Sequence, residues 1–189
     1  MKTVMGVGVN DAYYVVCERK SSGERVWCPF YRRWVQMLAR CYNESTIKRQ
    51  PCYQSSKVCD EWLVFSSFRE WMINREWKGF HLDKDILGDG SLYSPKTCAF
   101  VTRKVNNFLR KAVDGDLIYS SIKISMRGEY QAYYKGRLIG SYGCELEAKL
   151  ALIANKKALA AELSKGEPDS RVRDSFPLII EAKMKNELL

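Results

Sequence analysis

The sequence predicts an α+β protein: N-terminal helices, then a hairpin–helix unit, then a three-stranded antiparallel sheet packed on one long helix. Three observations predict it. Apolar residues recur at helical spacing between about residues 28 and 75. Residues 80–110, FHLDKDILGDGSLYSPKTCAFVTRKVNNFLR, read as strand, tight turn, strand and helix. Beyond residue 116 the apolar period becomes two for three short runs, before an Ala-rich helical stretch.

Residues 1–28 hold a Gly-alternating start and the apolar run Tyr13–Cys17. The polar turn Lys20–Glu24 then makes a hairpin-like arm. Cys28-Pro29 opens a helix, because Pro suits a first turn, and Tyr31, Trp34, Val35, Leu38 and Tyr42 form its stripe. Residues 43–58 read as a polar loop. Asp60 is placed to cap a second helix to about Arg75, which buries Trp62, Phe65, Phe68 and Trp71 or Met72. In the hairpin, Asp83, Lys84 and Asp85 end the first strand and Gly88-Asp89-Gly90 supplies the turn.

The turn cluster Val113-Asp114-Gly115-Asp116 is the best boundary in the chain. It divides a first domain, 1–112, from a second, 117–165, with 166–189 as a tail made of a loop and a short amphipathic helix. In the second domain Ile122, Ile124 and Met126 alternate with Lys123, Ser125 and Arg127. Strands over 130–134 and 138–142 follow, joined by turns at 127–129 and 135–137. A helix runs to about Ser164 with Leu146, Leu150, Ile153 and Leu159 on its apolar side.

The net charge of +9 and pI near 9.2 point to a polyanionic partner, nucleic acid before membrane. The apolar runs are too short to span a bilayer and the N-terminus lacks a cleavable-signal layout, so a soluble, cytoplasmic protein is expected. The cysteine count is odd, without a CxxC knuckle. Reduced, buried thiols are therefore expected, and a structural zinc on Cys41, Cys52, Cys59 and Cys98 is disfavoured.

A three-stranded sheet backed by one helix leaves one face uncovered. Alternation puts Lys123, Ser125, Arg127, Gln131, Tyr133 and Lys135 on it, with Arg137 at the next turn. The set is basic and free of carboxylates, and such a sheet can enter the major groove of double-stranded DNA. Single-stranded RNA is a weaker option, through stacking on Tyr130, Tyr133 and Tyr134.

The turn-strand Gly128-Glu129-Tyr130-Gln131-Ala132-Tyr133, the strand Leu138–Tyr142 and the helix start Cys144–Ala151 resemble an AP2-type DNA-binding domain over about residues 117–160. The resemblance implies DNA contacts at Lys123, Ser125, Arg127, Tyr133 and Lys135. That family's DNA-contacting tryptophan on the third strand matches Leu138 here, so base specificity does not carry over.

Leu82-Asp83-Lys84-Asp85-Ile86, Gly90, Tyr93-Ser94-Pro95, Cys98, Phe100-Val101 and Asn107 resemble the HNH (ββα-metal) endonucleases of bacteriophages, many of them homing-type. Trp34–Asn43 and Val58–Trp62 extend the likeness to about residues 28–110. It implies a phage-type DNA-binding protein that nicks or cleaves DNA with Mg²⁺ or Mn²⁺. Asp83 and Asn107 would be the metal ligands, with Asn106 the weaker choice for the second. Arg103, Lys104, Arg110 and Lys111 would neutralise phosphates.

Two signature positions depart from the family. The general-base histidine aligns with Lys84, and the asparagine that positions it aligns with Thr97. A lysine serves as base only if its pKa falls well below the usual range, and Lys84 is flanked by Asp83 and Asp85, which favour its charged form. His81, the sole histidine, shares a face with Asp83 by alternation and is the candidate for a displaced base. The alternative is a catalytically inactive, HNH-derived DNA-binding regulator, or a factor that engages host or phage proteins.

Overall fold

The structure, a computed structural model, describes residues 3–113 and 120–186. The expected boundary turn lies largely outside these, and so do the side chains of Arg110 and Lys111. Among the described residues the protein is α+β, with six α-helices and small sheets, one of them three-stranded and antiparallel. No described helix is long and apolar enough to cross a membrane. The chain divides into two units, Met1–Phe100 and Val101–Leu189. The division falls before the fourth helix, earlier than the Val113–Asp116 turn.

In the first unit, β1 (Cys17–Arg19) and β2 (Arg25–Trp27) pair antiparallel as an exposed arm. Helix α1 (Pro29–Tyr42) starts at its proline and buries Tyr31, Trp34, Met37, Leu38 and Cys41. The polar loop expected after it contains a short helix, α2 (Glu44–Arg49), capped by the Asn43 side chain, which accepts from Thr46 N–H at 2.9 Å. Strand β3 (Lys57–Val58) follows.

The second helix does not begin at Asp60. Residues 60–63 form a single 3₁₀ turn, Val64 is extended, and α3 spans Phe65–Ile73. The cause is the N-terminal segment. Val9 N–H donates to Leu63 O at 2.8 Å and Phe65 N–H donates to Val9 O at 3.0 Å, which holds Val64 in a bridge. Gly8 lies so near α1 that a Cβ there would stand 2.5 Å from Leu38 and 2.9 Å from the Trp34 ring. Trp34, Trp62, Phe65 and Phe68 fill the core between these pieces, and Trp34 Nε1 donates to Trp62 O at 2.7 Å.

The hairpin is wider than the sequence predicts. Strand β4 (His81–Asp83) pairs with β6 (Ala99–Val101), while β5 (Leu92–Tyr93) pairs parallel with β3. Gly88-Asp89-Gly90 therefore lies within a longer loop rather than a tight turn between partners. Ser94 and Thr97 make the reversal that returns the chain to β4. Ser94 N–H donates to Thr97 Oγ1 at 3.1 Å, Thr97 N–H donates to Ser94 Oγ at 3.2 Å, and Thr97 Oγ1 donates to Leu92 O at 2.6 Å.

The second unit contains α4 (Arg103–Val113), then β7 (Ser120–Ile124), β8 (Tyr130–Tyr134) and β9 (Arg137–Tyr142) in the order β7-β8-β9. Gly128, at φ +80, closes the first hairpin. Lys135 and Gly136, at φ 51 and 76, form the paired left-handed turn that suits a two-residue hairpin. An irregularity at Ala132/Tyr133 sets Ala132 opposite Gly140 and Tyr133 opposite Leu138. The extra residue, Ile139, packs against the core.

Helix α5 (Glu145–Ser164) covers one sheet face through Ala148 and Leu152, which meet Ala132, Ile122, Tyr130, Tyr134 and Tyr142. Leu146 and Leu150, expected to be buried, are 60% and 46% exposed, because the buried stripe of α5 instead runs through Ala148, Leu152, Lys156 and Ala160. The tail is more ordered than expected: α6 (Ser170–Asn186) packs along α5 with Val172, Phe176, Ile180 and Met184 buried at four-residue spacing. Pro177 removes the donor that Arg173 O would otherwise receive, and the Ser164 hydroxyl donates there at 3.4 Å.

Candidate nucleic-acid interface and hairpin site

The uncovered sheet face is built by strand alternation. With Ile122, Ala132 and Ile139 turned to α5, the opposite positions form two cross-strand rows: Lys123, Gln131, Ser141 and Ser121, Tyr133, Leu138. The Lys123 ammonium lies 5.2 Å from the Tyr133 ring centroid, and Tyr133 Oη donates to Gln131 Oε1 at 2.8 Å. Lys135 lies 5.4 Å from the Tyr134 ring. Between residues 120 and 144 Glu129 is the single acidic residue, and it sits at the end of a turn.

Two expected contacts move off the strand. Strand β7 stops at Ile124, so Ser125 and Arg127 belong to the turn. Ser125 holds that turn together: its hydroxyl accepts from Arg127 and Glu129 N–H, and its N–H donates to Glu129 O at 2.9 Å. Arg127 is exposed at one end of β8, and Lys135 and Arg137 are exposed at the other. A five-residue strand spans about 17 Å, so the cations flank the polar centre of the face. Tyr130 and Tyr134 pack toward the core side, and Lys123 covers the ring of Tyr133, which leaves little for the base-stacking option.

In the hairpin, Asp83 is buried and its Oδ1 accepts from Asp85 N–H at 2.9 Å and Ile86 N–H at 3.0 Å. Burial, with the charge of Asp85 beside it, pushes the Asp83 carboxyl up to about 6, although both N–H groups and Lys84 oppose the rise. Lys84 is buried as well. Its ammonium donates to Asp85 Oδ1 at 2.8 Å and lies 5.5 Å from the rings of Tyr53 and Tyr93. Arg40 lies over Tyr53 and donates to the Tyr93 hydroxyl at 3.4 Å. Gly90, at φ +81, closes the loop on this group, since a Cβ there would stand 2.5 Å from Asp85 Oδ1.

The other expected site residues have separate surroundings within their own units. His81 is exposed at the start of β4 while Asp83 is buried at its end, so the shared face of alternation does not give them a shared environment. Thr97 is engaged by the turn with Ser94 and Leu92. Asp83 belongs to the first unit and Asn107 to the second. Arg103 and Lys104 are exposed on the first turn of α4, and Asn106 and Asn107 are half-buried. The start of that helix is held by Glu167, whose carboxylate accepts from Thr102 N–H at 2.9 Å and Thr102 Oγ1 at 2.5 Å.

Among the described residues no three His, Cys, Asp or Glu side chains come together as a metal-binding group. Burial pushes the Cys41 thiol up to about 11 and Cys98 up to about 12, which keeps both protonated at neutral pH. Sequence reasoning missed Arg40, Tyr53 and Tyr93 as the surroundings of Lys84; they are far apart in the chain, and no spacing marks them. Comparison with family models, with curated proteins and with solved structures returns no match.

Proposed function

We propose that the protein binds double-stranded DNA through the exposed face of the β7–β9 sheet and holds it without cutting it. The observation that carries this reading is the face itself, where Lys123, Gln131 and Tyr133 form a carboxylate-free centre between Arg127 and the Lys135–Arg137 turn. Cations beyond the two ends of a strand about 17 Å long can reach phosphates on both sides of a major groove about 12 Å wide, while the centre faces base edges. The strand-strand-strand-helix order of β7–β9 and α5 is compatible with the AP2-like reading, and β4, β6 and α4 follow the order of an HNH-like ββα unit.

The hairpin residues do not fit a divalent ion well. Asp83 gives Oδ1 to two backbone N–H groups in a setting that disfavours its charge, and the neighbouring Lys84 ammonium already neutralises Asp85. Lys84, tied to Asp85 between two tyrosine rings, is arranged as a structural cation rather than a base. This supports the inactive, HNH-derived binder, with the first unit as scaffold.

The test is to incubate the full chain with supercoiled DNA and Mg²⁺ or Mn²⁺ while measuring duplex binding by fluorescence anisotropy. Binding with intact supercoils is the expected result. Metal-dependent nicking that is lost in Asp83→Ala and Asn107→Ala would overturn the non-cutting part. Absence of duplex binding would overturn the whole.

A further inference from the structure

We infer that Tyr133 fixes the Gln131 amide with its donors outward, so that the β7–β8 face reads guanine in the major groove. This rests on the DNA-binding reading above and adds the base preference and the residue that sets it. A glutamine side chain normally offers one acceptor and two donors, and it pairs with adenine by accepting from N6 and donating to N7. Here Tyr133 Oη donates to Gln131 Oε1 at 2.8 Å, so that acceptor is already engaged within the face. An adenine N6 donor would have to share or displace that bond.

That bond leaves the Nε2 group, a donor, unused. Lys123, the direct cross-strand partner of Gln131, adds an ammonium that can only donate. Opposed residues in such a pair stand about 5 Å apart, so both can address one base pair. The Lys123 ammonium over the Tyr133 ring draws on its electrons and favours the phenol as donor, which reinforces the amide's orientation. The donors of Gln131 and Lys123 match guanine, whose major-groove edge offers two acceptors, N7 and O6. Tyr133 is thus a positioning residue, and Gln131 and Lys123 touch the base.

The experiment selects duplexes from a random library with the full chain at fixed salt. By anisotropy, the enriched duplex is compared with copies that carry adenine or 7-deazaguanine at each guanine. Removing N7 at the contacted guanine is expected to weaken binding about 5- to 50-fold, and the effect should vanish in Gln131→Ala. Tyr133→Phe should lose most of the preference for the guanine duplex over the adenine copy, because the freed amide can turn. A merely structural tyrosine would change affinity for both copies together. An unchanged guanine preference in Tyr133→Phe overturns the inference, as does a wild-type protein that tolerates 7-deazaguanine everywhere. Failure to bind any duplex overturns the DNA reading and this one with it, whereas binding without guanine preference overturns this one alone.

Discussion

Replacing Asp83 by Asn should stabilise the first unit at neutral pH. The amide keeps an oxygen for the N–H groups of Asp85 and Ile86 and removes a buried charge. The rise of the carboxyl from 3.8 to about 6 corresponds to about 3 kcal/mol, since each tenfold change in proton affinity is worth ~1.4 kcal/mol. The folded state holds the proton more tightly than the unfolded chain. Its favourable contribution is therefore full below pH about 4 and is lost as the pH rises through about 6. At pH 7.5 Asp83→Asn should exceed wild type by about 2–3 kcal/mol, narrowing to about 1 kcal/mol at pH 4.5. All five tryptophans lie between Trp27 and Trp77, so their fluorescence in urea reports the first unit alone. A variant no more stable than wild type at pH 7.5, or a difference that does not move with pH, would refute the buried, disfavoured carboxylate.

Other substitutions probe the remaining parts. Gly90→Ala forces a Cβ at positive φ against Asp85 Oδ1 and should cost about 1–3 kcal/mol, read from the same fluorescence midpoint. Trp34→Ala, in the middle of the aromatic core, should cost about 3–5 kcal/mol, and a small loss would contradict its packing. Glu167→Ala removes the acceptor for Thr102 N–H and hydroxyl and should destabilise the start of α4 by about 1–3 kcal/mol. Faster hydrogen exchange at the Thr102 amide is the measurement.

The second unit was more legible than the first because its signals are local. Alternation from Ile122 to Tyr142, glycine turns at Gly128 and Gly136, and the Ala-rich stretch each act over a few residues, and strands and helix follow them. The end of β7 was misplaced because Ser125 reads as an alternating polar residue, while its hydroxyl actually serves the turn backbone. In the first unit the deciding contacts are distant in sequence. Val9 breaks the expected helix before Phe65, and β3 takes β5 away from β4. Neither pairing leaves a periodic trace. The candidate site shows the same division: Lys123, Gln131 and Tyr133 share a face by alternation, whereas the enclosure of Lys84 by Arg40, Tyr53 and Tyr93 requires the folded chain. The tail helix is longer than the short amphipathic helix the sequence suggests, and its buried stripe, Val172, Phe176, Ile180 and Met184, runs past Pro177.

The salt dependence of duplex binding tests the central claim most directly. Affinity of the full chain is measured across a series of salt concentrations for wild type and for a variant with Arg127, Lys135 and Arg137 changed to alanine. Each phosphate contact contributes about 0.9 to the slope of log affinity against log salt. DNA binding by the sheet predicts a slope shallower by about 2–3 in the variant, with weaker binding at every salt. Equal slopes and equal affinities would contradict it.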